Sequence, residues 1–170
     1  MWLKLNIEGF IVYFQIKGYK PSRSGYSDDL WCDIKLTVEY GNDFKIHRSG
    51  GLLYSDEIEH LLMKLQDLLA NRIQNAEEID FMEPDFVFVL DSQLNLSNDI
   101  NERNNRGIFV DFQVHFWNGI LTENYLSLRL YKENIEYLLY YIKLVTRQLK
   151  KTDKDITDLI EKGVILDYQP

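Results

Sequence analysis

Residues 30–40 alternate without a lapse: Leu30, Cys32, Ile34, Leu36, Val38 and Tyr40 fall on one side, and Trp31, Asp33, Lys35, Thr37 and Glu39 on the other. A period of two with one polar side belongs to a strand that packs on a core with one face and meets water with the other. Wound into a helix, the same residues would scatter their apolar groups around the whole cylinder. Gly41-Asn42 supplies a tight turn, and residues 43–48 return with Phe44 and Ile46 pointing inward, which makes a β-hairpin. The fold must therefore contain an antiparallel sheet with a wetted face.

The remaining elements follow the same logic. Residues 1–17 read as two short strands around Glu8-Gly9, and residues 18–29, with Pro21 and two glycines, as a loop. Ser49-Gly50-Gly51 interrupts the hairpin. Ser55 then stands where it can cap a helix expected over residues 56–72, with Asp56 and Glu57 at the dipole's positive end and Ile58, Leu61, Leu62, Leu65, Leu68 and Leu69 in one stripe. Phe86-Val87-Phe88-Val89-Leu90 is continuously apolar, the mark of a strand covered on both faces, and Pro84 belongs at its entry because it has no N–H to give a ladder.

Residues 92–107, with five asparagines and three apolar residues, form the longest expected loop. Residues 108–117 alternate again, with Ile108, Val110, Phe112, Val114 and Phe116 inward and Asp111, Gln113 and His115 outward. Asn118-Gly119 marks a hairpin, and residues 121–131 return with Leu126, Leu128 and Leu130 inward and Ser127 and Arg129 outward. A second helix is expected over residues 133–150, without a good cap. A short third one is expected from Thr152, with Asp155 three residues on and Gly163 at its end, followed by an apolar tail at 164–168 able to dock. The fold class is α+β: a largely antiparallel sheet of hairpins packed with two long amphipathic helices and a short C-terminal one.

A chain of 170 residues with 45% hydrophobic and 14% aromatic content reads as a single domain, 1–170. At this size roughly 70% of the unfolded surface is buried on folding, enough for a core without disulfide or metal. The lone Cys32 has no partner for an internal disulfide, and Lys4 and Asn6 interrupt the apolar start, so no signal peptide or membrane span is read and a cytoplasmic protein is expected.

Charge is unevenly spread. Of the net −8, residues 51–100 carry −9, with eleven acids (Asp56, Glu57, Glu59, Asp67, Glu77, Glu78, Asp80, Glu83, Asp85, Asp91, Asp99) against Lys64 and Arg72. An acidic protein repels phosphate, so neither nucleic acid nor a membrane is expected as partner. If the acids share a face, a cationic protein is attracted and its encounter accelerated; if they do not, they only keep the protein soluble.

No known catalytic motif is present: no phosphate loop, G-x-S-x-G, H-E-x-x-H or C-x-x-C. Cys32 lies on an apolar strand face, where it reads as a small buried hydrophobe. His47, His60 and His115 sit on separate elements without ligand spacing, so no metal or cofactor is expected. Asp91, Gln93, Asn95, Ser97, Asp99 and Glu102 fall in a calcium-loop register, but Leu96 stands where that loop needs glycine. Glu83 and Asp85 are the best general acid/base pair, and the plain alternative is a strand-entry turn. Trp31, Trp117 and Tyr125 are aromatic residues able to line a cleft or anchor a partner, and Tyr137, Tyr140 and Tyr141 on the second helix can mark a partner face or simply pack under a sheet.

The Trp31-Cys32-Asp33 strand, the Gly50-Gly51-Leu52 break, the Phe81-Met82-Glu83-Pro84-Asp85 turn, and the hairpin and helix over residues 118–139 together resemble the WapI-type family of bacterial immunity proteins over about residues 28–145. The N-terminal hairpin, residues 92–107 and the C-terminal helix read as additions to that pattern. The resemblance implies a small non-catalytic cytoplasmic protein that binds and neutralises a cognate toxin domain, commonly a basic nuclease. On that basis the expected partner-binding residues are Asp56, Glu57, Glu59, Glu77, Glu78, Asp80, Glu83 and Asp85, with Trp31 and Trp117 as aromatic anchors. Two other classes stand beside it: a small-molecule or carbohydrate-binding β-rich module, and a hydrolase using Glu83, Asp85 or Asp91. Oligomeric state is not legible in the sequence.

Overall fold

The computed structural model describes residues 1–21, 30–92, 107–117 and 121–168. Among them are nine strands in two antiparallel sheets and three helices. The chain divides into two compact units, residues 1–62 with 137–170, and residues 63–136. The expected antiparallel hairpins thus form one sheet in each unit.

The first unit holds β1 (Trp2–Ile7), β2 (Phe10–Lys17), β3 (Trp31–Tyr40), β4 (Phe44–Tyr54) and β9 (Ile165–Leu166), in the order β4-β3-β2-β1-β9. Glu8 and Gly9 both have positive φ, 52° and 92°, the backbone of a two-residue hairpin turn whose twist suits the strands it joins. A side chain at Gly9 would also press within 3.1 Å of the Tyr40 ring. The register stacks Leu3, Phe14 and Leu36 in one row and Leu5, Val12 and Val38 in the next. All six are buried, as the alternation requires. The apolar tail docks as β9 against β1, with Lys4 N donating to Val164 O at 2.7 Å.

Where β1 begins, no strand residue is left to accept from Ile16. The hydroxyl of Tyr141, on α2 (Lys132–Val145), takes that place: it accepts from Ile16 N at 2.9 Å and donates to Met1 O at 3.3 Å. Burial holds this phenol neutral well above the ordinary tyrosine range. Two of the helix tyrosines, Tyr137 and Tyr140, pack against the cluster of Ile156, Leu159 and Ile165 that seats α3 (Lys154–Glu161).

Two expectations about β4 and α1 (Ser55–Leu69) need correction. Ser49-Gly50-Gly51 does not break the strand; β4 runs through it, and the extra residue Leu52 is absorbed by a bulge, because Cys32 pairs with Leu53 and Asp33 with Gly51. Ser55 does not cap α1. Its fully buried hydroxyl donates to Leu30 O at 3.2 Å and accepts from Lys20 N at 3.4 Å, with Cys32 Sγ 3.5 Å away. The capping contact comes from Glu57, whose carboxylate accepts from Tyr54 N at 2.7 Å, the reach-back half of a capping box.

All three helices end in one way, which shortens the first two relative to expectation and bears out Gly163 at the end of the third. After α1, α2 and α3 the residues Asn71, Arg147 and Gly163 take left-handed φ of 56°, 62° and 69°. Paired backbone bonds close each turn, Arg72 N to Asp67 O, Gln148 N to Lys143 O and Val164 N to Leu159 O. The expected ends at 72 and 150 are therefore 69 and 145; at the second, Thr146 Oγ1 donates back to Ile142 O at 2.9 Å and helps stop the helix. The expected Thr152 start of α3 is also displaced, to an Asp153 N-cap whose carboxylate accepts from Lys150 N at 2.8 Å. Asn134 Oδ1 accepts from Tyr131 N at 3.3 Å, supplying at α2 the cap that its sequence seemed to lack.

The second unit holds β5 (Glu77–Ile79), β6 (Phe86–Ser92), β7 (Ile108–Trp117) and β8 (Leu121–Tyr131), in the order β5-β6-β7-β8. Its core is aromatic: Phe88 stacks on Phe112 at 4.8 Å, and Phe81 meets Phe86 and Phe88 edge-on at 5.5 and 6.0 Å. β6 lies between β5 and β7 in the sheet; Phe86, Phe88 and Leu90 are buried on one face, and on the other Val87 is buried and Val89 half-buried, so the unbroken apolar run is covered fully on one face and in part on the other.

Candidate functional site

The expected partner-binding residues fall into two sets. In the first unit, Asp56 is exposed and accepts from Glu57 N, Glu57 is tied to Tyr54 N, and Glu59 accepts from the Tyr19 hydroxyl at 2.6 Å. Burial, and then the Glu59 carboxylate, push the Tyr19 phenol well up. Trp31 is half-buried, because its ring lies 3.8 Å from that of its cross-strand partner Tyr54 and over Gly51.

In the second unit, Glu78 and Asp80 are exposed, Glu83 is half-buried, and Glu77 is held by Lys64 at 2.5 Å. Asp85 is not on the surface: it is 4% exposed, at the turn into β6, where its carbonyl accepts from His115 N at 2.9 Å. A partner cannot reach that carboxylate. The Trp117 side chain, the Asn118-Gly119 turn and, apart from Asp91, the calcium-register residues lie outside the described residues. Counted by structural unit, the division of charge is milder than the −9 of residues 51–100 but keeps its direction. Residues 63–136 hold thirteen acids against six bases, a net of −7, and the first unit's residues hold fourteen against thirteen, a net of −1.

The β5–β8 sheet brings some of these acids into register with residues that spacing alone did not single out. Glu78, Val89, Asp111 and Arg129 form one cross-strand row, Asp91, Phe109 and Tyr131 the next, and His115 pairs with Tyr125. The rows lie on the face opposite Phe88, Val110, Phe112 and Leu128, because neighbours along a strand alternate sides. On this outer face Arg129 lies 4.0 Å over the Phe109 ring and donates to both oxygens of Asp111 at 2.8 and 3.0 Å. The Asp111 hydrogen bonds raise the guanidinium's affinity for its proton, with Tyr131 and Asp91 adding to the effect. His115 stacks on Tyr125 at 5.2 Å between ring centres.

The outward faces of Asp111, His115 and Arg129 follow from alternation. Their partners do not, because the register between β7 and β8 shifts: Trp117 pairs with Leu121 but His115 with Tyr125. A simple two-residue Asn-Gly turn would pair Trp117 with Ile120.

A cleft of about 340 Å³ opens in the first unit between the β2 end and the α2 C-terminus. It is lined by Ile16, Tyr19, Tyr141, Leu144, Arg147 and Lys151 among others. None of Glu83, Asp85 or Asp91 lines it, so the acid/base pair has no place there. Cys32 is wholly buried, and burial raises its thiol pKa while the Ser55 hydrogen bond opposes the rise. His47 and His60 are exposed, the former 3.0 Å from Thr37 Oγ1. Among the described residues no group of three or more His, Cys, Asp or Glu could hold a metal ion, and no helix is long and apolar enough to cross a membrane.

A model of the immunity protein WapI-like family matches residues 3–150. The chain belongs to that family. The match begins at residue 3, so the N-terminal hairpin falls inside the family span rather than being an addition, while α3 and β9 lie beyond it. Membership in an immunity protein family supports an immunity role. No curated protein matches the chain. A solved structure described as the plant transcriptional regulator PBF-2 aligns at 12% identity over 96% of this chain and 94% of that one, with a TM-score of 0.38. A likeness of that size bears on neither fold nor function.

Proposed function

We propose that this protein binds a cognate bacterial toxin domain and neutralises it by covering its working surface, with no chemistry of its own. The observation that carries the reading is the charge division: residues 63–136 account for −7 of the net −8. A toxin that attacks a polyanion such as nucleic acid needs a cationic working surface. An acidic protein unit complements that surface, speeds the encounter, and excludes the substrate by occupying its place. On this reading the protein acts in the cytoplasm, the toxin is basic, and neither nucleic acid nor membrane is a partner.

The contributing residues are the acids Asp56, Glu57, Glu59, Glu77, Glu78, Asp80 and Glu83, with Trp31 and Trp117 as anchors. Of these acids, Asp56, Glu78 and Asp80 are exposed. The test is co-expression with the toxin domain produced by the source cells. The protein should restore growth, and the triple variant E77K/E78K/D80K should associate more slowly at low salt, with the gap closing at high salt. Equal rates at both salts would remove the acidic surface from the mechanism.

The cleft in the first unit favours one alternative, a small-molecule-binding module. Under that reading a panel of sugars and small anions contains a compound that raises the melting temperature by mass action. A flat response with growth protection intact leaves the immunity reading alone.

A further inference from the structure

The outer face of the β5–β8 sheet combines features that toxin occlusion by itself does not locate. It carries Tyr125, near the middle of the edge strand β8, and Tyr131, at its end, 48% and 52% exposed. Six residue steps along the strand set them about 20 Å apart. On the neighbouring strands of the same face, among the described residues, lie Glu78, Asp91 and Asp111, with the cation Arg129 on β8 itself, within the unit that bears most of the protein's negative charge.

Arg129 shows what kind of side chain this face accepts. Its guanidinium lies flat on Phe109 and is clamped by both oxygens of Asp111. Arginine suits such a place because it stacks on a ring and pairs bidentately with a carboxylate at the same time. Tyr131, in one cross-strand row with Asp91 across Phe109, and Tyr125, stacked with His115, repeat the aromatic half of that arrangement where it meets solvent.

We propose that this outer sheet face is the toxin-docking surface, and that the toxin presents arginine side chains which lie on Tyr125 and Tyr131 and pair with the neighbouring carboxylates. The proposal rests on the immunity reading and adds to it the face and the chemistry of the contact. Exposed tyrosines are enriched at interface cores, and carboxylates around them complement a basic partner.

The experiment measures binding of the toxin domain, copurified from its source cells with the tagged full-length protein, to three variants: Y125A/Y131A, Y125F/Y131F, and Y40A as a control. Tyr40 is 47% exposed in the first unit. The proposal expects Y125A/Y131A to weaken binding about tenfold or more. It expects Y125F/Y131F to stay within about threefold, because the ring face is what stacks, and Y40A to match the wild type. Melting curves confirm that each variant is folded. If the toxin binds Y125A/Y131A as tightly as the wild type, the face is wrong while the immunity reading stands. If no toxin domain copurifies with the wild type from cells that produce it, the reading and the docking face fall together.

Discussion

The two units of this protein are built on the same antiparallel principle and put their side chains to different uses. The first, residues 1–62 with 137–170, is nearly balanced in charge, and buried polar groups tie its segments together: the Tyr141 hydroxyl fills a gap in the ladder, and Ser55 joins Lys20 and Leu30 to the start of α1. The second, residues 63–136, carries a net of −7, packs phenylalanine against phenylalanine, and presents a mixed aromatic and acidic sheet face. The difference is one of labour. Satisfied buried polar groups fix a conformation, because any slip would strand a donor or acceptor without water. Uncompensated surface charge contributes little to folding and much to the choice of partner.

The largest effect that would sharpen this contrast is expected at Phe86, which is fully buried and lies 5.5 Å from Phe81 and 6.0 Å from Phe112. Phe86→Ala should cost about 3–5 kcal/mol in denaturant unfolding, through lost transfer energy and a cavity. A one-domain chain loses both units in a single transition of this variant; two separated transitions would show that the units fold independently.

Next is Tyr141→Phe, which leaves Ile16 N–H and Met1 C=O without the hydroxyl and should cost about 1–3 kcal/mol. The same residue sets a pH dependence. Tyr141 and Tyr19 have pKa values raised above that of an unfolded tyrosine, so the stability they contribute is whole below about pH 10 and declines as pH rises beyond it, where the unfolded chain releases protons that the fold retains. Both belong to the first unit. Y19F/Y141F should flatten the alkaline limb of the stability curve, whatever it does to neutral stability.

Charge reversal probes the other unit. Glu78→Lys with Asp80→Lys should slow toxin association about tenfold at low salt, and Asp56→Lys in the first unit should slow it less. Stopped-flow rates at two ionic strengths decide this, and equal slowing by both would remove the contrast in charge as an explanation. The smallest effect is expected at Arg147, a non-glycine residue at φ 62°. Arg147→Gly should raise stability by about 0.5–1 kcal/mol, by relieving left-handed strain at a position where helices ordinarily use glycine.

Much of this was legible in the sequence, for reasons seen in particular residues. Strict alternation at 30–40 and 108–116 set which side chains face inward, because a strand's side-chain period is two regardless of its neighbours. The same holds for the leucine stripe of α1 and the buried Cys32. The family resemblance was legible too, although the match begins at residue 3 rather than about 28, since short strands carry little pattern of their own.

What the tertiary structure alone decided concerns who meets whom. Sequence favours Ser55 as a cap, yet its hydroxyl is taken by Leu30 and Lys20 from other parts of the chain. It marks Asp85 as one acid among eleven, yet the turn into β6 buries it. It places Asp111 and Arg129 on an outward side but cannot pair them, because a register shift between His115 and Trp117, where β8 gains two residues on β7, resets which side chains stand opposite. Local periodicity is a property of adjacent residues and survives in the chain by itself. Register, burial and partner choice depend on segments far apart in sequence arriving together, and they exist only once the chain has folded.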